Sequence, residues 1–264
     1  MKFPVLYEDE DLLVIDKPGG FHVHRPEDRR IKVPRDRICI GFIRDQYGEN
    51  LRPVHRLDAG TSGCLIWAKN KESASAMCAQ FQQHSAVQKI YLALVRGWLK
   101  GHWKTEEPLA LDSTGDLVEA KTIGEGLDFF KLPFAVGAKH AEARYSLQKV
   151  QPLTGRYRQI RRHLRRKSHP IVGDSANGDL HHNRFFRNVL KCEGLFLRAT
   201  EISFQHPRSG KSLCVQGGTT AEWEKLLQVL GPYRCSVEEG SFASVDPAIE
   251  PSFVGAAISA MRSE

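Results

Sequence analysis

Nothing in the 264-residue chain approaches the roughly 20 consecutive apolar residues that a membrane-spanning helix requires. The opening stretch, MKFPVLYEDEDLLVIDKPGG, has acids where a secretory signal would place its apolar run. These two absences lead us to expect a cytoplasmic protein. Six cysteines stand at 39, 64, 78, 192, 214 and 235, and no two form a C-x-x-C pair. That spacing suits neither a zinc knuckle nor a disulfide framework, so reduced thiols are expected. His22-Val23-His24 and His181-His182 lack a carboxylate or cysteine at ligand spacing, so no metal is expected. No G-x-G-x-x-G or D-F-G occurs, which removes a kinase reading of His55-Arg56-Leu57-Asp58. Internal repeats are also missing.

What remains is a basic chain with material for a core. Hydrophobic residues make up 41% of it, the net charge is +7, and mean hydropathy is -0.38. The charge is unevenly spread. Beyond Tyr233, Arg234 and Arg262 face Glu238, Glu239, Asp246, Glu250 and Glu264, so the body is more basic than the whole. A basic body attracts polyanions, nucleic acid first. No apolar-basic amphipathic helix points to a membrane surface instead. We expect one domain over 1–232 and an acidic, flexible tail over 233–264, rich in Ser, Ala, Glu and Pro.

Periodicity predicts short extended segments at 5–7 and 12–17, a loop at 25–37 and a helix at 38–47 with Ile40 and Ile43 on one face. Gly60 to Gly63 reads as loop and 64–69 as strand. Asn70 can cap a helix carrying Ala74, Met77 and Phe81. From Gln88 to Trp98 both faces of an alternating pattern are apolar, as in a strand covered on both sides. Residues 100–140, rich in Gly, Asp and Lys, read as connections and an insertion. Strands follow at 143–150, 195–204 and 212–215, with helices at 156–167 and from Thr219 or Thr220 to Leu230. Strands and helices mix without strict alternation, which predicts an α+β fold.

Two stretches carry chemistry. In GRYRQIRRHLRRK, residues 155–167, Ile160 and Leu164 would face the core. Arg158, Arg162 and Arg166 would form one row, and Arg161 and Arg165 another. No acid lies among them to relieve their repulsion, and guanidinium forks match phosphate oxygens. The second stretch is PVHRLDAGTSGCLIWAKN, residues 53–70, which sets Asp58 on a Gly-rich loop beside Arg56. A turn aspartate bonded to its own backbone is the ordinary use of such a residue. A distant arginine cluster offers a cation that would keep a partly buried carboxylate charged.

His55-Arg56-Leu57-Asp58-x-x-Thr61-Ser62-Gly63 resembles the signature of the RluA-type pseudouridine synthases. Further pieces fall in that family's order. They are Lys17-Pro18-x-Gly20, Lys89-x-Tyr91-x-Ala93, Thr154-Gly155-Arg156-x-x-Gln159-Ile160-Arg161, Gly173-Asp174, and Leu195-x-Leu197-x-Ala199. The resemblance spans about residues 5 to 230. It implies a mixed, mostly antiparallel sheet with flanking helices and a central RNA-binding cleft. It implies isomerisation of uridine to pseudouridine in RNA, with no metal, no organic cofactor and no obligate protein partner.

By the same resemblance, Asp58 is the essential aspartate. It would act on the sugar, on the base, or on a ribose proton. Arg56 fills the gap left by the flipped uridine, and His55 sets the loop or touches phosphate. Tyr91 packs on the uracil and could relay a proton. Arg161 pairs with Asp58, with Arg156 as the alternative from the same motif. Thr61, Ser62 and Gly63 shape the loop, and Leu195 is an apolar wall. Arg158 stands where the family usually has histidine; with Arg156, Arg162, Arg165 and Arg166 it would bind RNA. Gly173-Asp174-x-x-x-Gly178-Asp179 and the residues to Arg187 resemble the tRNA pseudouridine synthase C branch, which modifies uridine 65 of tRNA. The small RNA-binding module that several ribosomal-RNA members carry before this point is not expected here, given the few residues before Val5. A ribosomal-RNA enzyme of the family is the alternative. A non-catalytic RNA-binding relative would lack Asp58 or Tyr91, and this chain has both.

Overall fold

The structure, a computed structural model, describes residues 2–26, 30, 32–83, 86–137 and 140–236. The expected flexible tail from 237 onward lies outside the described residues. In chain order the strands and helices are β1 (Val5–Glu8), β2 (Leu12–Lys17), α1 (Cys39–Tyr47), β3 (Arg52–Pro53), β4 (Ser62–Ala68) and α2 (Lys71–Gln82). There follow β5 (Gln88–Arg96), β6 (His102–Thr105), β7 (Leu109–Ala110), β8 (Leu117–Val118), β9 (Thr122–Leu132) and β10 (Ala143–Pro152). The chain continues with α3 (Gln159–Arg166), α4 (Leu180–Asn188), β11 (Leu197–Gln205), β12 (Ser212–Gln216), α5 (Ala221–Leu230) and β13 (Arg234–Cys235).

Eleven strands form one sheet along the order β1-β2-β4-β11-β5-β10-β9-β13, with β12, β3 and β6 added at its margins. Every named pairing is antiparallel except β4 with β11. The expected α+β architecture is therefore present. Side chains alternate across β2 and β4, and both faces are covered. Leu13, Ile15, Leu65 and Trp67 pack with Cys39 and Ile43 of α1. Leu12, Val14, Cys64 and Ile66 pack with Met77 of α2 on the other face. The second half repeats the plan. Leu94, Tyr145 and Phe130 meet Phe186 of α4 and Trp223 of α5. Ala93, Val95 and Val150 meet Ile160 and Leu164 of α3.

Gly63 makes the parallel junction possible. Its φ is 110°, and a Cβ there would sit 2.0 Å from the Ala199 carbonyl oxygen. Ser62 and Gly63 thus begin strand β4 rather than extending the loop, two residues earlier than the sequence suggests. Thr61 alone of that trio stays in the turn, its N–H donating to the Asp58 carbonyl at 3.0 Å.

Other boundaries also move. Residues 122–132, read as connection, form β9, the longest strand. Gly124 looks like a loop signal, but the Trp103 ring occupies the space its side chain would take, 2.3 Å from a built Cβ. The helix expected from Arg156 starts at Gln159, because Arg158 has φ 51° in the left-handed region. The Gln159 side chain closes that turn, its Oε1 accepting from Thr154 Oγ1 at 2.7 Å and Arg156 N at 3.0 Å. Helix α4 was not anticipated; Asp179 caps it by accepting from the N–H groups of His181 and His182. Asn70 caps α2 as expected, accepting from Ser73 N at 2.8 Å. Thr220 holds the N-cap position of α5 without a side-chain bond. Strand β11 begins at Leu197, leaving Leu195 before it, and β13 carries the sheet to Cys235, past the expected boundary at 232.

Candidate active site

Asp58 lies on the turn between β3 and β4, and three neighbours fix that turn. Buried Lys17, at the end of β2, donates through Nζ to the carbonyls of Pro18 at 2.9 Å, Phe21 at 2.9 Å and Ala59 at 3.1 Å. Gly20 N–H also donates to the Ala59 oxygen, at 2.8 Å. Leu195 packs against Gly60, where a built Cβ would lie 3.1 Å from Leu195 Cβ. Burial pushes the Lys17 ammonium down to about 8, opposed by nearby Cys39, Asp58 and Asp16.

The cation arrives from α3. Arg161 Nη1 donates to Asp58 Oδ2 at 2.7 Å, joining residues 103 apart in sequence. Its remaining donors face Asp174: Nε reaches Oδ2 and Nη2 reaches Oδ1, both at 2.7 Å. Asp174 is closed to solvent, whereas the Asp58 side chain keeps 18% of its surface open. Asp174 Oδ1 also accepts from the N–H groups of Ala176 and Asn177. Asn183 of α4 clamps the same turn, accepting from Gly173 N at 2.7 Å and donating to the Asp174 carbonyl at 2.8 Å. Burial favours a neutral Asp174, but the Arg161 fork and two backbone donors hold its carboxyl below the usual range. Burial likewise opposes the Arg161 charge, and bonds to Asp174 and Asp58 raise its pKa despite that.

These groups meet in a cleft of about 1480 Å³ lined by Arg56, Asp58, Ser62, Arg158, Arg161 and Leu195, among others. Arg56 is exposed there and makes no hydrogen bond or ion pair with another described residue. Tyr91 is not among the residues lining the cleft and packs against both the α1 and the α3 cores. Burial, then the Asp58 charge, pushes its phenol well above the ordinary tyrosine value, so it remains a proton donor at neutral pH.

Other expected site residues find different partners. His55 Nε2 accepts from Ile66 N–H at 3.0 Å, and its ring stacks on Phe81 at 4.8 Å. Burial, with Lys89 nearby, pushes this imidazole down to about 3. These contacts tie His55 to β4 and α2, and it is not among the residues that line the cleft. Arg156 Nε donates to the Glu119 carbonyl at 3.0 Å, so Arg161, not Arg156, is the partner of Asp58. Arg162 Nη1 donates to the Ala110 carbonyl at 2.9 Å, and Arg166 Nη1 to that of Pro108 at 2.8 Å. These arginines hold the β7–β8 hairpin. Arg165 is exposed, with only a 3.5 Å approach to the Gly178 carbonyl. Asp9, Asp11 and His206 bring ligand atoms within 4.8 Å of one another. Arg208 Nε already donates to Asp11 at 2.7 Å, and His206 Nε2 lies 2.8 Å from Asp9.

The RNA pseudouridylate synthase family model matches residues 11–166, more than half of the chain, and the chain belongs to that family. The tRNA pseudouridine synthase C of Haemophilus influenzae is 38% identical over 237 residues, covering 86% of this chain and 97% of that one. Its counterpart in Vibrio cholerae is 37% identical, covering 86% and 95%. Among solved structures, Human RNA Pseudouridylate Synthase Domain Containing 1 aligns with TM-score 0.67 and 21% identity, over 100% of this chain and 96% of its own. Human RNA Pseudouridylate Synthase Domain Containing 4 aligns with TM-score 0.64 and 21% identity, over 86% and 92%. At that identity the two human structures speak for the fold. Among the described residues, no helix is long and apolar enough to cross a membrane.

Proposed function

We propose that this pseudouridine synthase acts on tRNA in the cytoplasm and isomerises uridine 65. The observation that carries the chemistry is the Arg161–Asp58 bond at the wall of the cleft. In this reading the uridine leaves its stack and enters the cleft, and Arg56 occupies the gap. Asp58 approaches C1′, with Arg161 fixing one carboxylate oxygen and leaving the other free. The C1′–N1 bond breaks, the uracil turns against Tyr91, and a C1′–C5 bond forms. C5 loses a proton and N1 gains one, so no electrons are exchanged with a partner. Arg158 meets the RNA inside the cleft, and Arg165 contacts the RNA backbone. So do Arg156, Arg162 and Arg166, to the extent that their inward bonds leave guanidinium donors free. Support for tRNA comes from the relatives at 36–38% identity named tRNA pseudouridine synthase C and from the Gly173 to Arg187 segment.

The test is to map pseudouridine in tRNA from cells with and without the gene, and in a transcript treated with purified protein. Loss of the modification at position 65 in the deletion, and its appearance in the transcript, is the expected result. Unchanged tRNA with a missing pseudouridine in ribosomal RNA would overturn the substrate reading and favour the ribosomal alternative.

A further inference from the structure

Tyr157 lines the cleft and has no part in the chemistry above. Tyr157 leaves 41% of its surface exposed and belongs to none of the apolar clusters. The Arg158 guanidinium carbon lies 4.7 Å from its ring centroid. Arg158 Nε is buried and has no hydrogen-bond partner among the described residues. The left-handed backbone at Arg158, φ 51° and ψ 30°, is unfavourable for a residue with a side chain. Helix α3 begins one residue after that bend, and both Tyr157 and Arg158 line the cleft.

The neighbourhood favours a base over a phosphate. Arg162 Nη1 ties the Tyr157 carbonyl, at 3.5 Å, to the Ala110 carbonyl of the β7–β8 hairpin. The hairpin turn brings Asp112 and Ser113 to the same cleft. A carboxylate there repels phosphate but accepts from exocyclic amino or ring N–H groups. An exposed ring backed by a guanidinium is the arrangement on which unpaired bases stack.

We propose that Tyr157, backed by Arg158, is a stacking platform for an unpaired nucleobase next to the extruded uridine, a subsite separate from Asp58. The inference rests on the RNA-cleft reading above, though not on tRNA being the substrate. Tyr157→Leu and Tyr157→Phe are compared with wild type for binding to a tRNA transcript across a range of KCl concentrations. The same comparison uses a uridine-centred single-stranded RNA of about a dozen nucleotides. Tyr157→Leu weakens binding to both by roughly 5- to 100-fold, the range expected for one stacked base. The log–log salt slope stays unchanged, because a stacked base releases no counterion. Tyr157→Phe binds within about twofold of wild type. Removing the bases flanking the uridine from the short RNA abolishes the difference between Leu and wild type. Wild-type affinity in Tyr157→Leu would overturn the platform. So would a Phe variant as weak as Leu, or a slope lowered by about one. A transcript that the wild type binds but leaves unmodified would overturn the tRNA assignment. The short-RNA comparison would still decide the platform.

Discussion

Arg161 and Asp174 form a two-pronged pair, Nε to Oδ2 and Nη2 to Oδ1, each at 2.7 Å. This pair, wholly inside the protein, decides where the third guanidinium nitrogen points, and it points at Asp58. Fork-on-fork geometry removes the rotational freedom that a single bond would leave. Asp174 is thus a positioning residue that acts through Arg161.

Asp174→Asn leaves the Arg161 charge with one carboxylate in place of two. Breaking a buried pair from one side costs about 3–5 kcal/mol, to be read from urea denaturation. Loss of alignment lowers kcat about 10- to 100-fold in the fraction that folds, with RNA affinity nearly unchanged. A folded Asp174→Asn enzyme with wild-type kcat would show that Arg161 keeps its aim unaided.

The two faces of the arginine-rich helix should behave differently with salt. Arg165 is exposed, and Arg165→Ala lowers the slope of log affinity against log salt by about one for one lost phosphate contact. Arg162 spends Nη1 on the Ala110 carbonyl, so Arg162→Ala lowers the slope by clearly less than about one. It also speeds amide hydrogen exchange in the β7–β8 hairpin. Equal slopes for the two variants would mean that Arg162 turns outward when RNA binds.

His55 makes the fold acid-sensitive. Its folded pKa of about 3 lies below the ordinary 6.5. Between those values the unfolded chain binds a proton that the folded one refuses, so stability falls as pH drops through the window. At about pH 4.5 the loss is of order 2 kcal/mol. His55→Gln removes this contribution, so its stability changes less than that of wild type between about pH 7 and pH 4.5. Parallel profiles would place the proton uptake on other histidines.

Gly63→Ala tests the parallel junction. The added Cβ falls 2.0 Å from the Ala199 oxygen, at a φ of 110° that alanine rarely adopts. A loss of more than about 3 kcal/mol is expected, from clash and strain together. A near-neutral effect would mean that β4 and β11 can separate at little cost.

The sequence carries some of this in plain view. The two-sided apolar runs of β2 and β5 and the Asn70 cap follow from local chemistry that tertiary contacts leave intact. The motif around Asp58 and the arginine run locate both halves of the Asp–Arg pair. Local pattern fails where one residue answers to a distant one. Gly124 reads as a turn until Trp103 lies across it, and Gly63 reads as loop until Ala199 comes alongside. The carbonyl partners of Arg162 and Arg166, more than 50 residues away, leave no trace in the sequence around them. Asp174 was visible as part of a motif, but its role depends on a fork geometry that only coordinates reveal.

The most direct measurement is single-turnover pseudouridine formation by Asp58→Asn on an RNA that the wild type modifies, alongside its affinity for that RNA. The amide matches the carboxylate in size but carries no charge. We expect no detectable product, with affinity within about threefold of wild type because the arginines proposed to bind phosphate remain. Product formed at the wild-type rate would contradict the account, since among the described residues no other carboxylate meets Arg161 at the open side of the cleft.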